Sequence, residues 1–196
     1  MKNILIIGSG GREHVLTWKL HQSNRVDKIY VIPGNAGTAQ FAENVEIDVM
    51  DFEKIANFIK SKNIEMTFVG PEKPLANGIV DYLTEKGIDV FGPNKKAAKL
   101  EGSKVYAKKV MKKCNIPTAE FETFKDSNKA YDYLEKSNYP LVVKAEGLAY
   151  GKGVIIAKNK KEAKDAVKKI MEDKYFGKAG EKIVIEEYLK GEEASI

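Results

Sequence analysis

Apolar positions in the first hundred residues fall in short unbroken runs, separated by stretches where they recur at helical spacing. Ile4 to Ile7 is such a run, closed by Gly8. A continuous apolar run suits a strand buried on both faces of a sheet, whereas strict alternation would mark a half-solvated one. Gly11 to Ser23 reads as a helix, Ile29 to Ile32 as a second strand, and Pro33 to Thr38 as a turn. Phe52 to Ser61 is helical, Met66 to Val69 a strand, and Pro74 to Lys86 a helix with proline in its first turn. Ile88 to Phe91 is a last strand before Gly92-Pro93. Strands alternating with helices predict an α/β, Rossmann-like domain, a parallel sheet with helices on both faces.

Lys95 to Cys114 is helix-forming sequence, stopped by Asn115-Ile116-Pro117, and the pattern then changes. Phe121 to Phe124 is extended, Asn128 to Lys136 helical, and Leu141 to Ala145 and Val154 to Ala157 form two strands around a glycine-bearing loop. A helix over Lys161 to Met171 and a strand over Ile183 to Ile185 complete a small α+β unit with an antiparallel sheet. The boundary between the two styles falls near residues 117–122, with no low-complexity linker and no internal repeat.

Composition narrows the function classes. Hydrophobic residues make up 43% and charged residues 31%, well mixed, as in a folded domain rather than a disordered chain. The net charge of +5 suits an anionic small molecule and argues only weakly for nucleic acid. The single cysteine, Cys114, excludes an intramolecular disulfide and offers no metal-ligand cluster. No apolar run approaches the ~20 residues of a membrane span, and the N-terminal one is too short for a signal peptide. The reading therefore expects a cytoplasmic monomer acting on small molecules, with no nucleic-acid or membrane partner.

Four segments carry candidate chemistry. Gly8-Ser9-Gly10-Gly11-Arg12-Glu13-His14 joins the first strand to the first helix, where glycines permit a tight turn and a helix N-terminus can receive a phosphate. The alternative is a tight turn with nothing bound. Glu13 stands where the dinucleotide fingerprint has its third glycine, and the second strand ends on Ile32-Pro33 rather than an acidic residue, which argues against NAD. Gly70-Pro71-Glu72 ends a central strand, so Glu72 either accepts from sugar hydroxyls or is a solvated turn residue; Asn35 and Gly37 can face the same crevice. His14 and His21 receive no role.

Lys144-Ala-Glu-Gly-Leu-Ala-Tyr-Gly-Lys-Gly153 is not a Walker loop, because Gly153 follows Lys152 and a strand, not a helix, comes next. It is either a loop that folds over a polyphosphate with Lys144 as a point charge, or a glycine-rich hairpin with a chance lysine. Val184 to Glu193 runs from a strand into a carboxylate-rich connector of the kind that binds adenine through backbone groups and ribose through a carboxylate, although acidic turns are also common. Lys104, Lys108 and Lys112 share one helix face, and for the last two a solvated charged face is expected.

In this order the segments resemble the phosphoribosylamine–glycine ligase family of the ATP-grasp superfamily. The matching stretches are GGREHVL, PGNAGTA, VGPEKPL, FGP, LEGSK, KAEGLAYGKGV and VIEEYLKGEEAS, spanning essentially the whole chain. The resemblance implies ATP-dependent ligation of glycine to 5-phosphoribosylamine in purine biosynthesis, through a glycyl phosphate, with ATP and Mg²⁺. It puts the sugar phosphate on Gly8, Ser9, Gly10, Gly11 and Arg12, with Asn35, Gly37 and Glu72. It puts ATP phosphates on Lys104, Lys144 and the loop bearing Gly147, Gly151, Lys152 and Gly153. Adenine would lie against Glu186, Glu187, Tyr188 and Leu189, and Glu193 would take the ribose. Other ATP-grasp enzymes of purine metabolism, or a non-catalytic nucleotide-binding module, are the alternatives.

The resemblance also implies domains over 1–120, with a helical connector, 121–190, a small ATP-grasp lid, and 191–196, the start of a truncated core. Metal ligands and glycine contacts are then expected beyond residue 196, and the chain by itself is expected to bind ligands without making product. Two positions depart from the family pattern: Glu146, where it usually has Asp, and Tyr150, where it has a small residue.

Overall fold

The computed structural model describes residues 1–147 and 153–194. It divides into two compact units, Met1–Lys99 and Leu100–Ile196. In the first, strands β1 (Lys2–Gly8), β2 (Val26–Pro33), β3 (Glu43–Asn44), β4 (Ile64–Val69) and β5 (Val90–Phe91) form one sheet in the order β3-β2-β1-β4-β5. All four pairings are parallel. Helices α1 (Gly11–His21), α2 (Phe52–Ser61), α3 (Glu72–Asn77) and α4 (Ile79–Glu85) supply the covering layers.

The continuous run in β1 is explained by the packing. Ile4 and Ile6 join Ile29, Val31 and the α1 side chains Leu16 and Leu20, while Leu5 and Ile7 face a separate cluster with Ile55 and Ile59 of α2 and Ile79 and Leu83 of α4. Both faces of the strand are therefore buried, and no polar alternation survives in its sequence. Thr67 on β4 is an exception inside this sheet. It is fully buried, and its hydroxyl has no hydrogen-bond partner among the described residues. Thr67→Val removes that unsatisfied group at nearly constant shape and is expected to raise stability by about 1 kcal/mol. Denaturant titration followed by Trp18 fluorescence, the one tryptophan of the chain, checks it; a loss of stability would show that the hydroxyl is satisfied in solution.

The helix anticipated over Pro74 to Lys86 is broken. Gly78, at φ +92°, separates α3 from α4, because a left-handed residue cannot continue the helical hydrogen-bond ladder. The helix-forming stretch Lys95 to Cys114 holds two helices, α5 (Lys95–Gly102) and α6 (Lys104–Lys113), with Ser103 between them. Ser103 is extended and its hydroxyl oxygen accepts from the Tyr106 N–H at 3.1 Å, an N-cap that starts a new helix.

The second unit has a four-stranded antiparallel sheet, β6 (Phe121–Phe124), β7 (Leu141–Ala145), β8 (Val154–Ala157) and β9 (Ile183–Glu187), in the order β6-β9-β7-β8. One face bears Leu141, Val143, Ala145, Ile183 and Ile185. These pack on α7 (Ser127–Glu135) and α8 (Lys160–Val167) through Ala130, Leu134, Ala163 and Val167. No helix among the described residues is long and apolar enough to cross a membrane.

Candidate functional site

In the first unit the glycine loop, the Pro33–Thr38 turn and Glu72 all follow the C-terminal ends of neighbouring strands, β1, β2 and β4. Between β1 and β4 the strand order changes direction, the place where ligands enter open α/β sheets. Backbone bonds tie these ends together: Gly34 N–H to Gly8 O at 3.2 Å and Gly70 N–H to Ile7 O at 3.0 Å. Arg12 reaches across to Glu72, Nη2 to Oε1 at 2.8 Å, and this guanidinium bond holds the Glu72 carboxyl below its usual range.

Asn35 works as a brace. Its Oδ1 accepts from the N–H groups of Gly37 and Thr38 at 2.7 and 2.9 Å, and its Nδ2 donates to Ser9 O at 2.9 Å. Gly37 leaves room for the His14 ring, which an added Cβ would meet at 2.7 Å. The glycines of the first loop are not equivalent. Gly8 sits at φ +135°, whereas Gly10, at φ −90° and ψ −177°, has extended backbone open to any residue.

Glu13, which the sequence used only to argue against NAD, organises this loop. It is buried, its Oε2 accepts from the Gly10 N–H at 2.7 Å, and its side chain fills the space beside Gly8, Gly10 and Gly70. The first N–H groups of a helix lack intrahelical acceptors, and Glu13, at the third helical position, reaches back to the N–H of the cap residue Gly10, the one half of a capping box that a glycine cap allows. The signal was in the sequence as a Glu three residues after the cap.

In the second unit the sheet face opposite the helices carries Val142 and Lys144 on β7, Val154 and Ile156 on β8, and Val184 and Glu186 on β9. The register pairs Lys144 with Val154 and Val184, and Val142 with Ile156 and Glu186. Directly opposed residues of antiparallel strands share a face. Val154 and Ile156 remain 46% and 52% exposed, so this face presents an apolar platform beside charged groups.

Glu186 is only 4% exposed, and its Oε2 takes two ammonium groups, Lys144 at 2.8 Å and Lys108 at 3.1 Å. Its Oε1 is buried with no partner among the described residues. Lys108 is thus not on a solvated face as its spacing suggested. Its ammonium also donates to Thr118 Oγ1 at 2.7 Å and Ala119 O at 3.1 Å, and it lies 5.5 Å from the centre of the Phe121 ring. Lys112, one turn further on, is exposed.

Lys104 donates from Nζ to Gly147 O at 2.8 Å, and burial lowers its pKa from the usual lysine value. Glu146 sits at the N-terminus of α6: one oxygen accepts from the Ser103 hydroxyl and the other from the Val105 N–H at 3.0 Å. A carboxylate there is favoured by the unpaired amides and the helix dipole. The Glu146 carboxylate is therefore occupied in capping α6. Gly147, at φ +90°, follows as the entry to the loop. Gly153 is buried, and its carbonyl accepts from the Ala145 N–H at 2.8 Å. Gly151, Lys152 and Tyr150 lie outside the described residues.

Beyond Glu186, Glu187 accepts from the Glu120 N–H at 3.0 Å, while Tyr188, Leu189 and Glu193 are exposed. The fold thus gathers Lys104, Lys144, Gly147 and Glu186. It adds Lys108, Glu146, Val154 and Ile156, which sequence reasoning had not placed in the site. Among the described residues no three His, Cys, Asp or Glu side chains gather as a metal site.

Comparison with known proteins agrees along the whole chain. A family model described as phosphoribosylglycinamide synthetase, N domain, matches residues 2–101, and one described as phosphoribosylglycinamide synthetase, ATP-grasp (A) domain, matches residues 102–196. A bifunctional purine biosynthetic protein of Dictyostelium discoideum is 55% identical over 99% of this chain and 24% of its own length. The phosphoribosylamine–glycine ligase of Pseudomonas aeruginosa is 52% identical over 98% of this chain and 45% of its own. The crystal structure of phosphoribosylamine–glycine ligase from Thermotoga maritima superposes with a TM-score of 0.78 at 35% identity, covering 97% of this chain and 44% of that one. The chain therefore spans less than half the length of the relatives it matches. With the N domain matched over its first unit and the ATP-grasp domain over its second, the chain belongs to the phosphoribosylglycinamide synthetase family.

Proposed function

We propose that this chain supplies the sugar-phosphate and nucleotide parts of an ATP-dependent ligase joining glycine to 5-phosphoribosylamine. The products are glycinamide ribonucleotide, ADP and phosphate, and the glycine carboxylate is activated as a glycyl phosphate. The observation that carries the reading is the sheet face of the second unit opposite its helices, exposed at Val154 and Ile156. Lys144 and Lys104 provide cationic donors for phosphates, Val154 and Ile156 an apolar platform, and the unpartnered Glu186 Oε1 an acceptor. Adenine lies against Glu186 to Leu189, its exocyclic amino group meeting that acceptor, and Glu193 takes the ribose hydroxyls. Further phosphate contacts fall to Gly147, Gly151, Lys152 and Gly153.

In the first unit the phosphate of the amine substrate sits on the Gly8 to Arg12 loop. Arg12 supplies charge, Glu72 meets the ribose, and Asn35 and Gly37 keep the loop in register. Mg²⁺ would neutralise the polyphosphate during transfer, and this reading gives it no ligand among the described residues.

The test is Lys144→Ala. A charge-assisted contact is worth ~1.5–3 kcal/mol, so ATP affinity is expected to fall roughly 10- to 150-fold in a folded protein. Isothermal titration of both proteins measures it. Equal affinities remove Lys144 from the site and take away the main support for the nucleotide reading.

A further inference from the structure

We infer that Lys108 is a positioning residue of the nucleotide site, acting through Glu186; the inference rests on the nucleotide reading above. An ammonium group has three N–H donors. Lys108 has three acceptors within 3.1 Å, Thr118 Oγ1, Ala119 O and Glu186 Oε2, and is 8% exposed. No donor is left over for a ligand, so Lys108 does not touch nucleotide.

Its effect is on the carboxylate. Lys108 and Lys144 both approach the same oxygen, Oε2, and together they fix the rotation of the carboxylate. Oε1 is thereby left buried and unpartnered. A buried acceptor without a donor is costly unless a ligand supplies one. Lys144 makes only the Glu186 contact among the described residues and is the more exposed of the two side chains, 26% against 11%. Lys108 therefore anchors Glu186 from the buried side and leaves Lys144 free to turn toward a phosphate. Without Lys108, Lys144 becomes the one ammonium among the described residues in hydrogen-bond contact with the buried carboxylate, is drawn toward both of its oxygens, and the acceptor is lost.

Inosine triphosphate separates this role from a merely structural one, because it differs from ATP in carrying a carbonyl in place of the exocyclic amino group. In Lys108→Met, ATP affinity measured by isothermal titration is expected to fall about tenfold and inosine triphosphate affinity by about twofold or less, so that the preference for ATP collapses. Lys112→Met, on the exposed part of the same helix, is expected to leave both affinities unchanged. Should Lys108→Met fail to fold, Thr118→Val loosens the anchor while keeping the charge, and is expected to lower the preference about threefold. If folded variants melt at lower temperature yet keep the wild-type preference, Lys108 is structural and the inference is overturned alone. A wild-type chain that binds neither nucleotide overturns the nucleotide reading, and this inference with it.

Discussion

Glu186→Gln lowers the stability of the second unit by about 3 kcal/mol, the lower end of what removing one partner of a buried ion pair costs. The size follows from what is left behind. Lys108 keeps Thr118 and Ala119 as acceptors but loses its counter-charge in a nearly dry position, and Lys144 can escape only partly toward solvent. Urea denaturation, with hydrogen exchange read at the β7 and β9 amides, measures the loss where it arises. The double variant Glu186→Gln/Lys108→Met removes the stranded charge and is expected to cost at least about 1 kcal/mol less than the two single changes added together. Strict additivity would show that the two side chains do not interact in solution. Nucleotide binding is expected to weaken in the single variant, since the one carbonyl oxygen of glutamine cannot serve both Lys144 and the adenine amino group.

The second large effect is expected at Gly8. Its φ of +135° belongs to backbone that residues with a Cβ rarely adopt, and an added Cβ would stand 2.6 Å from Cγ and Cδ of the buried Glu13. Strain of that kind costs about 1–3 kcal/mol by itself. The clash displaces the carboxylate that holds the Gly10 N–H, which brings the expected cost of Gly8→Ala to about 3 kcal/mol. Trp18, on the helix that follows, reports the transition by fluorescence. Ribose 5-phosphate is expected to lose its effect on the amide signals of Gly8 to Glu13. Gly11→Ala is the comparison: its Cβ would meet nothing within 4 Å, and stability should hold. Similar denaturation midpoints for the two variants would mean that the Glu13 packing does not constrain the loop.

Both predictions turn on partners that the sequence names but does not pair. What the sequence determined is local in origin. The unbroken run Ile4 to Ile7 announces a doubly covered strand, the alternation of strands and helices announces a parallel sheet, and the glycine segments mark where chains leave strand ends. Period, propensity and turn chemistry act over a few residues, so they can be read without the fold. Ser103 likewise carried its own signal as a capping residue after Gly102. The ordered motifs also located Lys104, Lys144 and Glu186, the three charged side chains that the second sheet and α6 bring together.

Tertiary packing decided which of several like side chains became special. Lys108 and Lys112 are the same residue type one helical turn apart on one face, yet one is buried on Glu186 and the other is solvated. Asn35, Glu13 and Glu146 each turned from a candidate contact, or no candidate at all, into a brace of a loop or helix end. A polar side chain takes its role from the nearest complementary group. That group is set by distant strands and helices meeting, because an ammonium or carboxylate removed from water must find a partner wherever the fold places one.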